Sequence, residues 1–302
     1  MARTGSTSCY LAIAVLPIVA FRLAAAVVPA ASPAGVDAAG GPHAPALQAA
    51  DSPAPDVSAL VLEAQRVQQA DAAAWRQFRF SRGVRLERLG AEGRTLGVEE
   101  TLSEVTPVQD GFDERLVRIN GRAPTPDEVE NFREKEPFAR HYRTLRAGGA
   151  EREEEGGYSL ATLLRLSSYR YTGREWIDGT ECHRLDFSPD PDHPKDSLAA
   201  RVAGAMAGRL WLTVDGAHLI RARATSLRPV PLTLGLFSVR SLDLDLEATE
   251  VAGGTWLPRR LTIVSDVRII LVGQVRRRVL TYSDYTRVAD EEAASRVESL
   301  PS

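Results

Sequence analysis

The sequence predicts an α+β fold: a strongly curved, mostly antiparallel sheet, an unclosed barrel, wrapped around inserted helices. Three observations predict it. Segments 208–224, 239–249, 253–266 and 275–288 alternate apolar and polar residues with a period of two, the pattern of strands with one dry face. Asn120-Gly121, Asp178-Gly179 and Asp215-Gly216 are pairs suited to tight primed turns. Helical periodicity is confined to the opening of the folded part and one insertion in mid-chain, so the order is a meander and not an alternating βαβ series.

Taken in chain order, residues 1–30 read as a signal peptide. Arg3 is the positive region, Tyr10 to Val28 is mostly apolar, and Val28 and Ala30 are small residues suited to cleavage near Ala30. A retained anchor is the alternative, because the apolar span approaches the length a bilayer-crossing helix needs. No cysteine follows the small residues, which excludes lipidation there. Residues 31–56 are dominated by Ala, Pro and Gly, the composition of a disordered tether. Residues 57–290 form one domain, and 291–302 a flexible polar tail.

Charge and cysteine content narrow the chemistry. The 302 residues carry a formal charge of -3, and loss of Arg3 and Arg22 with the signal makes it -5. Nothing in that balance points to nucleic acid. Cys9 lies in the signal and leaves Cys182 alone, so the mature chain has no intrachain disulfide.

Asp56 is the N-cap of an opening helix whose Val57, Leu60, Val61, Ala64, Val67 and Gln68 recur at three and four. From Phe78 the period becomes two, through Phe80, Val84 and Leu86, and strands follow at 94–105 and 112–120. Thr125-Pro126-Asp127-Glu128 is a capping box with proline at the first helical position. That helix runs to about Glu136 and resumes after Pro137 as far as Leu145. An acidic loop at 151–155 leads to a short helix over 158–168, with Leu160, Leu163, Leu164 and Ser167 on one side. Two strands flank Asp178-Gly179, and a loop at 188–197 precedes the hairpins. In the first hairpin Leu210, Leu212 and Val214 share a face opposite Arg209, Trp211 and Thr213.

The residues that carry chemistry elsewhere do not assemble here. His183 follows Cys182, but neighbours on a strand point to opposite faces. His193 with Asp190, Asp192 and Asp196 has the make-up of a weak cation site or of an exposed loop. The sequence has no zinc-protease motif, serine elbow or phosphate-binding glycine loop, so no catalytic residue, metal or cofactor is assigned. Arg276-Arg277-Arg278 falls on both faces of a strand and reads as a solvated or ion-paired strand, not a phosphate site. Asp243, Asp245 and Glu247 alternate with Leu242, Leu244 and Leu246, and Arg221, Arg223, Arg276 or Arg278 are candidates to answer them across strands. The other reading is an acidic docking strip.

Two sets of residues are candidates for an apolar cavity. Leu232, Leu234, Leu236 and Phe237 concentrate apolar surface where Pro229 and Pro231 oppose a central strand; they form a cavity rim or cover the core. Leu210, Leu212, Val214, Leu242, Leu244 and Leu246 form a concave wall.

Trp211, Asp215, Trp256-Leu257-Pro258 and Tyr282-Ser283-Asp284-Tyr285, in this order of elements, resemble the periplasmic lipoprotein-carrier superfamily, which includes the outer-membrane lipoprotein-sorting proteins and the lipid-sensing domain of an envelope-stress regulator. The resemblance implies an unclosed barrel around helices, with a cavity that receives acyl chains. It implies non-catalytic binding of a lipid acyl chain or lipidated protein, in the bacterial periplasm or envelope, close to a membrane. An uncleaved signal would anchor it in the inner membrane. The alternative is a structural or protein-interaction module of the envelope with a filled core. An envelope hydrolase is the third reading, and it has no nucleophile and base to support it.

Overall fold

The computed structural model describes residues 54–109, 111–135, 166–192, 198–233, 237–269 and 272–289. Helix α1 (Val57–Ala74) begins where Asp56 accepts the amides of Ser58 and Ala59, at 2.9 and 3.2 Å, satisfying donors with no helical partner. Val61, Ala64, Val67 and Asp71 form its buried stripe. A single tight turn at Trp75–Gln77 then delivers the chain to the sheet.

The strands are β1 (Phe78–Leu89), β2 (Thr95–Val108), β3 (Gly111–Ile119), β4 (Ser167–Ile177), β5 (Thr180–Pro189), β6 (Met206–Thr213), β7 (Leu219–Ser226), β8 (Val230–Thr233), β9 (Phe237–Val251), β10 (Thr255–Ile269) and β11 (Val272–Arg287). They lie in the order β3-β2-β1-β11-β10-β9-β7-β6-β5-β4, with β8 on β9, and every pair is antiparallel. β3 and β4 are the two edges, so the sheet stays open. The chain builds outward from β1 to β3, crosses to the far edge, and meanders back until β11 zips against β1 from Phe78↔Arg287 to Leu89↔Val275. This is the α+β unclosed sheet with helices packed against it.

Two of the expected tight turns form as the sequence implies. Asn120 and Gly121 (φ 50° and 79°), then Asp178 and Gly179 (φ 49° and 85°), hold the positive φ that a type I′ turn requires. The third does not. β6 stops at Thr213, and the positive angles fall on Gly216 and Ala217. Thr213 Oγ1 accepts the His218 amide at 3.0 Å and donates to the Asp215 carbonyl at 2.7 Å, stabilising a wider loop over 214–218.

Helix α2 (Pro126–Lys135) carries the expected capping box. The Thr125 amide donates to Glu128 Oε2 at 2.8 Å, and the Glu128 amide to Thr125 Oγ1 at 3.4 Å. Arg122 adds two bonds to the same carboxylate and is the main reason its pKa is held down at about 2. The continuation to Leu145, the acidic loop 151–155 and Leu160, Leu163 and Leu164 lie outside the described residues. Ser167, expected on a helix, is instead the first residue of β4, paired with Pro189. A short helix, α3 (Leu198–Ala203), lies between the loop expected at 188–197 and the hairpin expected from 208, in a stretch assigned to neither.

Candidate functional site

Strand pairing fixes which side chains stand together on the inner face, the face α1 covers. Leu86, Arg278, Ile263, Leu244, Ala224, Gly208, Phe187 and Tyr169 lie side by side from β1 to β4. The adjoining row runs Val84, Leu280, Leu261, Leu246, Ala222, Leu210, Leu185 and Tyr171. An arginine in an otherwise apolar row is the anomaly of this surface.

Two buried clusters flank the middle of these rows. One gathers Val61 and Ala64 of α1 with Leu185, Leu210, Leu212, Ala222 and Leu242. The other gathers Trp75, Phe78, Phe80, Val105, Phe112, Leu257, Leu280 and Tyr282, with the Trp75 ring edge-on to Phe80 and Tyr282 at 4.9 and 5.4 Å. Leu244, Leu246, Leu261 and Ile263, on the central strands between the clusters, are only partly buried. Leu86 and Val84 beside them on β1 are also only partly buried.

The expected concave wall therefore divides. Leu210, Leu212 and Leu242 are buried against the α1 cluster at 1 %, 0 % and 8 % exposure, whereas Leu244 and Leu246 are partly open. Val214 lies beyond the end of β6, in the wide loop, with its amide donating to the Glu181 carbonyl at 3.0 Å. Of the expected rim, Leu234 and Leu236 lie outside the described residues. Leu232 belongs to β8 and Phe237 opens β9, but their side chains lie outside the described residues.

The arginine triplet splits as strand alternation requires. Arg277 points outward to Glu87 at 3.0 Å. Arg276 and Arg278 share the inner face with Leu280 and Tyr282, both half-buried. Burial pulls both guanidinium pKa values down, with Arg82 and Arg276 adding to the effect at Arg278, and Arg88 at Arg276. Arg276 Nη2 donates to Gln274 Oε1 at 2.7 Å. Arg82 is buried and ion-paired to Glu114 at 2.9 Å, and Ser103 Oγ donates to the same Glu114 oxygen at 2.6 Å. The sequence contained the signal for this: Arg276 and Arg278 have the parity of Leu280 and Tyr282.

It follows that Arg276 and Arg278 do not answer the acidic row of β9, which faces outward. Arg223 meets Asp245 at 3.1 Å, Arg221 meets Glu247 at 3.3 Å, Arg259 meets Glu247 at 3.1 Å, and Thr225 donates to Asp243. On that outer face the Trp211 indole N–H donates to Glu175 at 2.9 Å. Arg209, Arg221 and Arg223 ring it at 5.7, 5.9 and 5.9 Å from the ring centroid.

The other candidate groups occupy structural positions. Cys182 packs on the outer face with Trp211 and Ile220, and burial pushes its thiol up to about 12, a poor state for a nucleophile. His183 lies on the opposite face, buried, with the Tyr171 ring 5.8 Å away. His218 Nδ1 is 2.9 Å from buried Asp71, whose other oxygen accepts the Trp256 amide at 3.3 Å. This ties α1 to the 214–218 loop and to the start of β10. His193 and Asp196 lie outside the described residues. Among the described residues no group of three His, Cys, Asp or Glu side chains is placed to hold a metal, and no helix is long and apolar enough to cross a membrane.

The chain matches no protein-family model and no curated protein. It is similar to solved structures. One is a DUF1329 family protein from Desulfovibrio piger, at 14 % identity over 77 % of this chain and 93 % of that one, TM-score 0.34. Another is a putative outer membrane lipoprotein-sorting protein domain from Vibrio parahaemolyticus, at 9 % identity over 76 % and 93 %, TM-score 0.33. A third is a LolA superfamily protein from Nitrosomonas europaea, at 12 % identity over 78 % and 94 %, TM-score 0.31. Likeness at this level leaves the functional reading to the chain's own residues.

Proposed function

We propose that the protein binds a lipid acyl chain, free or carried by a lipidated protein, on the inner face of its open sheet, without catalysing a reaction. The observation that supports this most is the incomplete burial of Leu244, Leu246, Leu261 and Ile263 at the centre of the sheet. In a sheet filled by its own helices the central strands are the best covered. Here those four side chains pack against the edges of the two buried clusters yet stay partly open, and the strip they form is apolar. An acyl chain lying along it gains about 0.8 kcal/mol for each methylene buried. Leu232, Leu234, Leu236 and Phe237 belong to the same proposal as its rim. The signal read at residues 1–30 supports a place in the bacterial envelope.

Native mass spectrometry of gently purified full-length protein tests this. The expected result is a lipid mass on the protein and, after delipidation, uptake of an apolar fluorescent probe. Leu244→Ser and Ile263→Ser should weaken probe uptake more than they lower the unfolding midpoint. Absence of both lipid and probe would sink the proposal. Loss of stability with unchanged uptake would favour the filled interaction module instead.

A further inference from the structure

The inner-face arginines are not explained by acyl binding, and they sit where a filled core would not put them. Arg278 lies between Leu86 and Ile263 in the ladder, half-buried, and makes no ion pair with any described residue. Arg276, one row along, lies between Arg88 and Ser265 and has the neutral amide of Gln274 as its partner. The buried carboxylate nearby, Glu114, is engaged by Arg82 and Ser103. Glu99, opposite Leu86 on β2, is exposed. Among the described residues, positive charge is thus gathered beside the partly open apolar strip in excess of the acids that face it. A half-buried guanidinium without a counter-charge is unfavourable, and its planar fork matches phosphate oxygens.

Resting on the reading of the strip as an acyl site, we propose that the ligand is an anionic phospholipid. Its phosphate sits on Arg276 and Arg278, and its chain runs along Ile263, Leu244 and Leu246. The lipid headgroup supplies the anion that no described residue gives Arg278 and, through its tail, cover for the partly open leucines. Parity in the sequence groups Arg276 and Arg278 with Leu280 and Tyr282, but only the strand pairing sets them beside Ile263 and the partly open leucines.

Delipidated full-length protein is offered vesicles of phosphatidylcholine alone or of phosphatidylcholine with phosphatidylglycerol, and the lipid carried away is identified by mass. Wild type is expected to take phosphatidylglycerol with about tenfold preference, the size of one good charge-assisted contact. Arg276→Gln with Arg278→Gln should abolish the preference. Arg277→Gln, on the same strand but facing outward, should keep it. Equal uptake of the two lipids by wild type overturns the inference while leaving acyl binding intact, and this comparison needs no variant to fold. Uptake of neither lipid overturns both. If inorganic phosphate alone raises the unfolding midpoint as much as phosphatidylglycerol does, the site is an anion site and the lipid assignment is overturned.

Discussion

Glu114→Ala tests how the first three strands are held together. The Glu114 carboxylate on β3 accepts from Arg82 of β1 at 2.9 Å and from Ser103 of β2 at 2.6 Å, and the two charged side chains are 8 % and 4 % exposed. At 2.9 Å the gross attraction is about 6 kcal/mol for an effective dielectric of about 20. Most of that offsets the desolvation of both ions, so the pair adds little net stability. Truncating one partner is different. It leaves the Arg82 charge buried with no carboxylate opposite and with Arg278 nearby, a loss of about 3–5 kcal/mol, while Ser103 keeps the Arg82 carbonyl as an acceptor at 3.3 Å. The expected cost is therefore about 4 kcal/mol, whereas Arg82→Met combined with Glu114→Leu should recover most of it. Glu104→Ala, which removes an exposed pair with Arg115, should cost less than about 1 kcal/mol. Urea unfolding followed by tryptophan fluorescence measures all of these, because Trp75 packs on the neighbouring Phe80 and Tyr282. A Glu114→Ala cost near that of Glu104→Ala, or a double variant no more stable than the single, would refute the reasoning.

Two further outcomes follow from packing and from proton binding. Gly208→Ala should destabilise by about 3 kcal/mol or more, because a Cβ there would come within 1.9 Å of the Arg223 carbonyl oxygen on the adjacent strand; an unfolding midpoint unchanged in urea would show that β6 and β7 can part freely. Burial raises the Asp71 carboxyl above its ordinary value, against the opposing pull of His218 and the Trp256 amide. Folding therefore takes up protons between the ordinary and the raised value, so this residue's contribution falls as pH rises through that window. Asp71→Asn keeps an acceptor for Trp256 without the charge, and should gain on wild type as pH rises from about 4 to about 7. Asp71→Ala should lose about 1–3 kcal/mol. Wild type gaining on the asparagine variant over the same range would reverse the assignment.

What could be read from the sequence was local. Alternation marks strands because a half-buried strand must repeat every second residue, and Asp56 and Thr125 announce their helices because capping needs only neighbours. The wide loop after Thr213 was hidden because a threonine hydroxyl, not the Asp-Gly pair, decides its shape. Helix α3 has too few residues to show a period. The site was half legible. Leu242, Leu244 and Leu246 are visibly on one face, but that Leu242 is buried and the other two are partly open depends on where α1 and Trp75 pack. Arg276 and Arg278 share the parity of Leu280 and Tyr282, but their neighbours Arg88 and Leu86 follow only from the β1–β11 register, a pairing of strands almost two hundred residues apart.

The open seam between β3 and β4 sets a mechanical property. In a closed barrel the strand number and stagger fix the circumference, so the interior cannot widen without breaking a ladder. Here the Asn120 side chain accepts the Glu100 amide at 2.8 Å where β3 gives out, and a register shift at Gly173 interrupts the regular edge of β4. With both margins finished off and neither bonded to the other, the sheet can change its twist without giving up a ladder. On the proposed acyl reading, the same set of hydrogen bonds would serve one tail or two.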